Sequence, residues 1–176
     1  MSVQKWSIDP THSEIGFKVK HMMFTNVSGK FQNFNATIET QEDEFENAKI
    51  QFSGDIDSIT TGNSDRDSHL LSADFFDAEQ YPKITFEATS FKKTDASEFE
   101  LTGNLSLHGV TKSIKLDTEF SGLMKDPWGN TKAGFALAGK INRKDWNLNW
   151  NSALETGGVL VGEEVRLNIE LQFIKQ

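Results

Sequence analysis

The chain has 176 residues, 18 Lys plus Arg against 26 Asp plus Glu, and a formal charge of −8. At roughly 100–200 residues per domain it reads as one domain. The acidic balance speaks against nucleic-acid binding and against adsorption to an anionic membrane. The lack of cysteine excludes disulfides, thiol nucleophiles and Cys-ligated metal centres.

In chain order, the opening Met1–Trp6 has no apolar core and no small-residue cleavage site. As written the sequence is expected in the cytoplasm, or in the periplasm if a leader has been trimmed. Asp9-Pro10-Thr11-His12-Ser13 reads as a turn closing one barrel end. Asp, His and Ser within five residues also invite a catalytic-triad reading, but no nucleophile elbow accompanies them.

From there the hydrophobic period is two nearly everywhere, the signature of half-buried strands. Ile15, Phe17, Val19 and His21 share one face, opposed by Glu14, Lys18 and Lys20. Val27, Gly29 and Phe31 lie on one parity and Phe34, Ala36 and Ile38 on the other, which predicts a β-bulge near Asn33. Ala48 to Ile56 form a third strand. Residues 63–80 hold the one helical pattern, with Ser64 as cap, Asp67 in a capping-box-like position, and Tyr81-Pro82 as terminator. Ile84, Phe86 and Ala88 follow, then Phe99, Leu101, Gly103, Leu105 and Leu107. Leu107-His108-Gly109-Val110 marks a tight hairpin. Ile114, Leu116, Thr118 and Phe120 precede a longer loop at Asp126–Asn130. Ala133, Phe135, Leu137, Gly139 and Ile141 make the seventh face, and Val165 to Phe173 the eighth.

Eight strands with one apolar face each must hide those faces and their edges. A closed barrel does both. The expectation is an all-β fold: an eight-stranded antiparallel lipocalin-like barrel over residues 1–176, with a short helical insert at about 63–80. A barrel of this size is either filled by side chains or holds one small ligand. Gly54, Gly103, Gly139 and Ala36 stand among the large inward residues. They are compatible with solid interlocking and with an open tunnel, and periodicity does not decide. The seventh strand carries small residues, Gly134, Ala136 and Ala138, on its outer face too. That strip suits either a partner subunit or plain solvent.

Several runs bear a family likeness. They are Trp6-Ser7-Ile8-Asp9-Pro10-Thr11-His12-Ser13, Val27-Ser28-Gly29-Lys30-Phe31 and Arg66-Asp67 with His69-Leu70. Asp74-Phe75-Phe76-Asp77, Gly103 through Lys112, and Ile141-Asn142-Arg143-Lys144-Asp145-Trp146 complete the set. Together they resemble the YceI-like polyisoprenoid-binding family of bacterial lipocalin-like proteins. The resemblance implies a usually dimeric barrel whose long apolar cavity takes a polyisoprenoid or another long-chain amphiphile. Many members are periplasmic with a signal peptide, which this sequence does not show. Trp146-Asn147 also replaces the family's frequent Phe-Gly.

The expected function is non-enzymatic binding, transport or sequestration of such a lipid. The partners expected are the ligand and a second copy of the chain, with no nucleic acid, no cofactor and no stable membrane insertion. The alternatives are a filled-barrel structural or stress-related interaction module, or an enzyme acting on a bound lipid. Parity selects the apolar lining: Phe17, Val19, Phe31, Phe34, Ile56, Phe86, Leu105, Leu107, Phe120, Phe135, Leu137, Ile169 and Leu171. A polar head would meet His21, Arg66, His69 and Arg143, since a guanidinium suits phosphate or carboxylate and His donates near neutral pH. The competing readings are strand-end residues satisfied by backbone for His21 and Arg143, and a clamp of Arg66 onto Asp65, Asp74 or Asp77. His12, His21, His69 and His108 lack metal-ligand spacing, so no metal is expected.

Overall fold

The computed structural model describes residues 2–152, 154 and 160–176. The strands are β1 (Val3–Ile8), β2 (Glu14–His21), β3 (Thr25–Phe31), β4 (Phe34–Gln41), β5 (Glu44–Asp55) and β6 (Ile59–Thr60). After the helix α1 (Ser64–Leu71) come β7 (Lys83–Asp95), β8 (Glu98–Leu107), β9 (Val110–Lys125), β10 (Thr131–Asn142) and β11 (Val161–Lys175).

Every pairing is antiparallel, and the order β1-β4-β5-β7-β8-β9-β10-β11 returns to β1, closing the barrel. β1 and β2 both pair with β11, Ile8 facing Phe173 and Glu14 facing Glu170. They are therefore two halves of one wall strand. β3 and β4 are likewise two halves, against β2 and β1. Eight continuous walls result, so the expected eight-stranded barrel is the fold observed. Pairing of β1 with β11 joins the two outer strands of the wall, which is how one-sided strands hide their shared apolar face.

Three local expectations are corrected. The parity break near Asn33 is a break between β3 and β4, not a bulge within one strand. The groups freed there are taken by the chain leaving β5: Gln32 N donates to Ser58 O at 3.1 Å, and Asp55 N to Asn33 O at 2.9 Å. Asp9–Ser13 forms a kink in the middle of the first wall, a 3₁₀ turn at Pro10–His12, rather than a closure at the barrel's end. It is pinned by Asp9, whose carboxylate accepts from Thr11 Oγ1 (2.8 Å), His12 Nδ1 (2.9 Å) and Lys132 Nζ (3.0 Å). Burial opposes the Asp9 charge, but these donors outweigh it and hold the carboxyl well below its ordinary range. Ser13 Oγ donates to Asp9 O, so Asp9, His12 and Ser13 are structural bonds and no triad. Finally, the helix covers only Ser64–Leu71, and its cap is Asn63, which accepts from Arg66 N at 3.0 Å. Asp67 instead reaches back to Thr61, accepting from its N (2.9 Å) and Oγ1 (2.6 Å).

The two predicted turns are present. His108 and Gly109 both have positive φ, the type I′ geometry that matches strand twist. Asp126 Oδ1 accepts from Trp128 N and Asn130 N, both at 2.9 Å, which orders the β9–β10 loop. On the outer face of β10, Ala136 lies between Glu119 and Glu170, and Ala138 between Asp117 and Asn168. The smooth strip is thus walled by carboxylates.

Candidate ligand-binding cavity

Strand direction sorts the barrel into two ends. One end holds the β4–β5, β7–β8 and β9–β10 turns. There Trp6, Phe45, Phe99 and Phe120 fill the bore. Phe45 meets Trp6 at 5.1 Å, Phe120 at 5.0 Å and Phe135 at 5.2 Å between ring centroids, and Phe91 stacks on Phe99 at 4.5 Å. The Trp6 indole N–H is satisfied by Thr40 Oγ1 at 3.1 Å. This aromatic plug is the floor of a cavity of about 580 Å³ that rises toward the other end. That volume lies within the roughly 300–1,000 Å³ typical of small-molecule sites.

The wall stays open because small residues seat large ones flat against it. A Cβ on Gly29 would lie 2.4 Å from the Phe17 ring, and one on Gly103 would lie 2.3 Å from the Phe86 ring and 2.6 Å from Glu87 O. The rings occupy the space a side chain would take on the neighbouring strand, as aromatic residues do over sheet glycines. The small inward residues therefore interlock with their neighbours and leave the axis empty.

Ten of the residues selected by parity line this space: Phe17, Val19, Phe31, Phe86, Leu105, Leu107, Phe135, Leu137, Ile169 and Leu171. Three lie outside it. Ile56 follows the last residue of β5, in a 3₁₀ turn, and packs fully buried with Phe31 and Ile59. Phe34 stands at the β3–β4 break and stacks on Phe52 at 6.4 Å. Phe120 belongs to the plug beneath the cavity.

The upper end is roofed by the insert and the β10–β11 connection. His69 meets Phe75 at 5.1 Å and Trp150 at 4.8 Å, edge to face, and Phe75 meets Trp150 at 5.3 Å. Trp146 is anchored by its indole N–H to Leu105 O at 3.0 Å. Leu70, Phe76, Leu148 and Leu160 also line the cavity here. None of these roof residues was selected by strand parity, because they sit on a helix, turns and a loop.

All four polar candidates reach the cavity at this end. Arg66 is a clamp, though on Thr61 rather than on a carboxylate: Nε donates to Thr61 Oγ1 at 2.7 Å and Nη2 to Thr61 O at 2.8 Å. His69 Nε2 pairs with Asp74 at 2.8 Å. Arg143 is only 4% exposed, and its guanidinium donates to the carbonyls of Gly162 (2.8 Å), Leu148 and Val161 (3.3 Å). Burial lowers its pKa, opposed by the charge of Glu163, yet an arginine stays protonated. Glu163 itself is taken by Lys144 at 2.8 Å. Arg143 is thus a buried cation compensated by dipoles, at the rim of an apolar bore. His21 ends β2 beside it, facing Val161. Among the described residues, no three His, Asp or Glu side chains gather as a metal site.

A closed antiparallel barrel with a helical insert over one end and an apolar bore within is the lipocalin-like fold. The YceI-like domain model matches residues 6–173, and the chain belongs to that family. It is 36% identical over 169 residues to the UPF0312 protein SA2479 of Staphylococcus aureus (strain N315), covering 96% of both chains. The crystal structure of Campylobacter jejuni YCEI protein is 35% identical, with a TM-score of 0.76 over 89% of this chain and 90% of that one. A polyisoprenoid binding domain from Saccharophagus degradans, implicated in plant cell wall breakdown, shares the fold. Its TM-score is 0.68 at 16% identity, over 97% and 98% of the two chains. Among the described residues no helix is long and apolar enough to cross a membrane.

Proposed function

We propose that the protein binds and carries, or sequesters, a long-chain amphiphile of the polyisoprenoid or fatty-acyl kind. The observation that carries this reading is the shape of the cavity: apolar along its length, floored by aromatic rings and polar at one rim. Each methylene moved from water into the bore contributes about 0.8 kcal/mol, so ten give a gross gain of roughly 8 kcal/mol before ordering and association costs. The likeness of this chain's fold to a domain named for polyisoprenoid binding supports the same ligand class. A filled structural barrel has no such space.

The head would sit at the rim among His21, Arg66, His69 and Arg143, where Arg143 supplies a fixed positive charge in a poorly solvated setting. The apolar lining named above would hold the chain. The site holds fixed donors and an oily channel, which suits holding a ligand without turnover. A homodimer remains part of this reading. Sedimentation velocity reads its mass, and a monomer at high protein concentration removes that part.

The direct test is titration with a fluorescent polyene fatty acid. One saturable site per chain, competed by an unlabelled isoprenoid alcohol, supports the proposal. Absence of saturable uptake overturns it.

A further inference from the structure

The hairpin between β2 and β3 ends in Met22-Met23-Phe24, whose side chains are 43%, 62% and 86% exposed. Met22 and Met23 also hold left-handed backbone, with φ of 52° and 63°. Turns of this hand favour Asn and Gly, and long side chains are uncommon there. Phe24 N donates to His21 O at 3.2 Å, and Met22 N to Leu160 O at 2.8 Å. His21 and Leu160 both line the cavity, so the apolar tip stands on its polar rim. Behind the tip the outer wall is basic. Lys18 of β2 pairs with Arg166 of β11, which pairs on its other side with Lys140 of β10. The residues flanking them in sequence line the bore, so these three cations point outward, and all are exposed. Lys20, also exposed, stands two residues nearer the tip. Like charges facing one another across a ladder weaken a sheet. Arg166 is relieved by Glu164 at 3.3 Å. Among the described residues, no ion pair involves Lys18, Lys20 or Lys140. In a chain of net charge −8 this row is a local reversal of sign.

Resting on the cavity's role as a lipid site, we propose that the rim docks on an anionic lipid bilayer. The Met22–Phe24 tip inserts, and the Lys18–Arg166–Lys140 row meets the headgroup phosphates. The dimensions agree. Lys18 lies four residues behind Met22, about 13 Å along the strand and about 10 Å along the axis at a tilt of roughly 35–45°. Apolar groups of peripheral proteins enter the interface by about 5–10 Å. An inserted tip therefore brings Lys20 and Lys18 to the level of the phosphates. The tip is convex and three residues long, which suits a yielding interface better than a shaped protein groove. A bilayer supplies both things this rim lacks, oil at the tip and negative charge behind it. The acidic remainder of the surface is repelled, which leaves one orientation, mouth toward the membrane. Cargo then passes between bilayer and bore without crossing water.

The test is co-sedimentation with vesicles of phosphatidylcholine alone and of phosphatidylcholine mixed with phosphatidylglycerol. The variants are Met23→Ser with Phe24→Ser at the tip, Lys18→Gln with Lys140→Gln in the row, and Trp128→Ala. Trp128 is an exposed aromatic on the β9–β10 loop at the opposite end. Each is first shown folded by thermal unfolding, and each is titrated with the fluorescent polyene fatty acid in vesicle-free solution. The wild type is expected to bind the anionic vesicles more tightly than the neutral ones. The tip variant loses about tenfold or more, the transfer value of one large apolar side chain. The lysine variant loses about 25-fold on anionic vesicles, at about fivefold per cation. Trp128→Ala binds vesicles as the wild type does, and fatty-acid uptake in solution is unchanged in all three. Absence of vesicle binding, equal binding by wild type and tip variant, or an equal loss in Trp128→Ala overturns the docking and leaves the lipid site intact. So does a tip variant whose only change is the dissociation of a homodimer in sedimentation velocity. A wild type that takes up no fatty acid in solution removes the lipid site itself, and this inference with it.

Discussion

Leu137→Trp blocks the bore without unfolding the barrel. Leu137 is on β10 between Thr118 of β9 and Ile169 of β11, buried, with its side chain on the cavity wall. An indole at this point projects into empty space instead of into a packed neighbour. The usual overpacking cost of about 1–3 kcal/mol is therefore largely avoided. For a chain of this length, a change within 1 kcal/mol keeps Tm within about 4 °C of the wild type. The ligand loses the volume that the ring takes. Displacing roughly three methylenes costs about 2.4 kcal/mol, near a 50-fold loss of affinity. Fluorescent-lipid titration beside a thermal melt reads both quantities. A folded variant with unchanged affinity would show that the chain does not run past β10, and the assignment of the bore would fail.

Asp9→Asn lowers stability at neutral pH by about 2 kcal/mol, because hydrogen bonds from Lys132, His12 and Thr11 to a charged acceptor are lost. The native carboxyl lies below its ordinary value of 3.8. Its contribution is therefore complete above that pH and fades as pH falls through the lower native value. The Tm gap between wild type and variant should narrow on acidification below pH 3.8, and a gap that widens there contradicts the sign. Gly103→Ala sets a methyl against Glu87 O and the Phe86 ring; it costs about 1–3 kcal/mol, read by urea unfolding, and a neutral result would deny the ring-over-glycine packing. Arg143→Met leaves the carbonyls of Gly162, Leu148 and Val161 without their donor. It destabilises by about 3 kcal/mol and weakens carboxylate-headed ligands more than the matching alcohols. Equal loss for both would assign Arg143 to architecture alone.

Much of the barrel is legible from period two, because a strand buried on one face must write that period into its residues. Thr118 shares that inward parity, as do the ten lining residues. Depth is another matter. Phe120 and Phe135 both point inward, but one is plug and the other lining, and that difference depends on stagger between strands, which no single strand encodes. Ile56 continues the parity of β5 after the strand has stopped at Asp55. The half-strand β1 is short and cut off by Pro10, so Trp6 and Ile8 do not declare themselves as wall. The roof of Phe75, Trp150 and Leu160 comes from elements without strand period. Only the folded chain brings them over the mouth.

The oily channel either holds a molecule or stands empty. Purified protein, extracted with organic solvent and analysed by mass spectrometry, should release a long-chain amphiphile close to one per chain. The same extract from Leu137→Trp should be depleted of it. An extract free of lipid, from protein that also refuses added amphiphiles, would contradict the account.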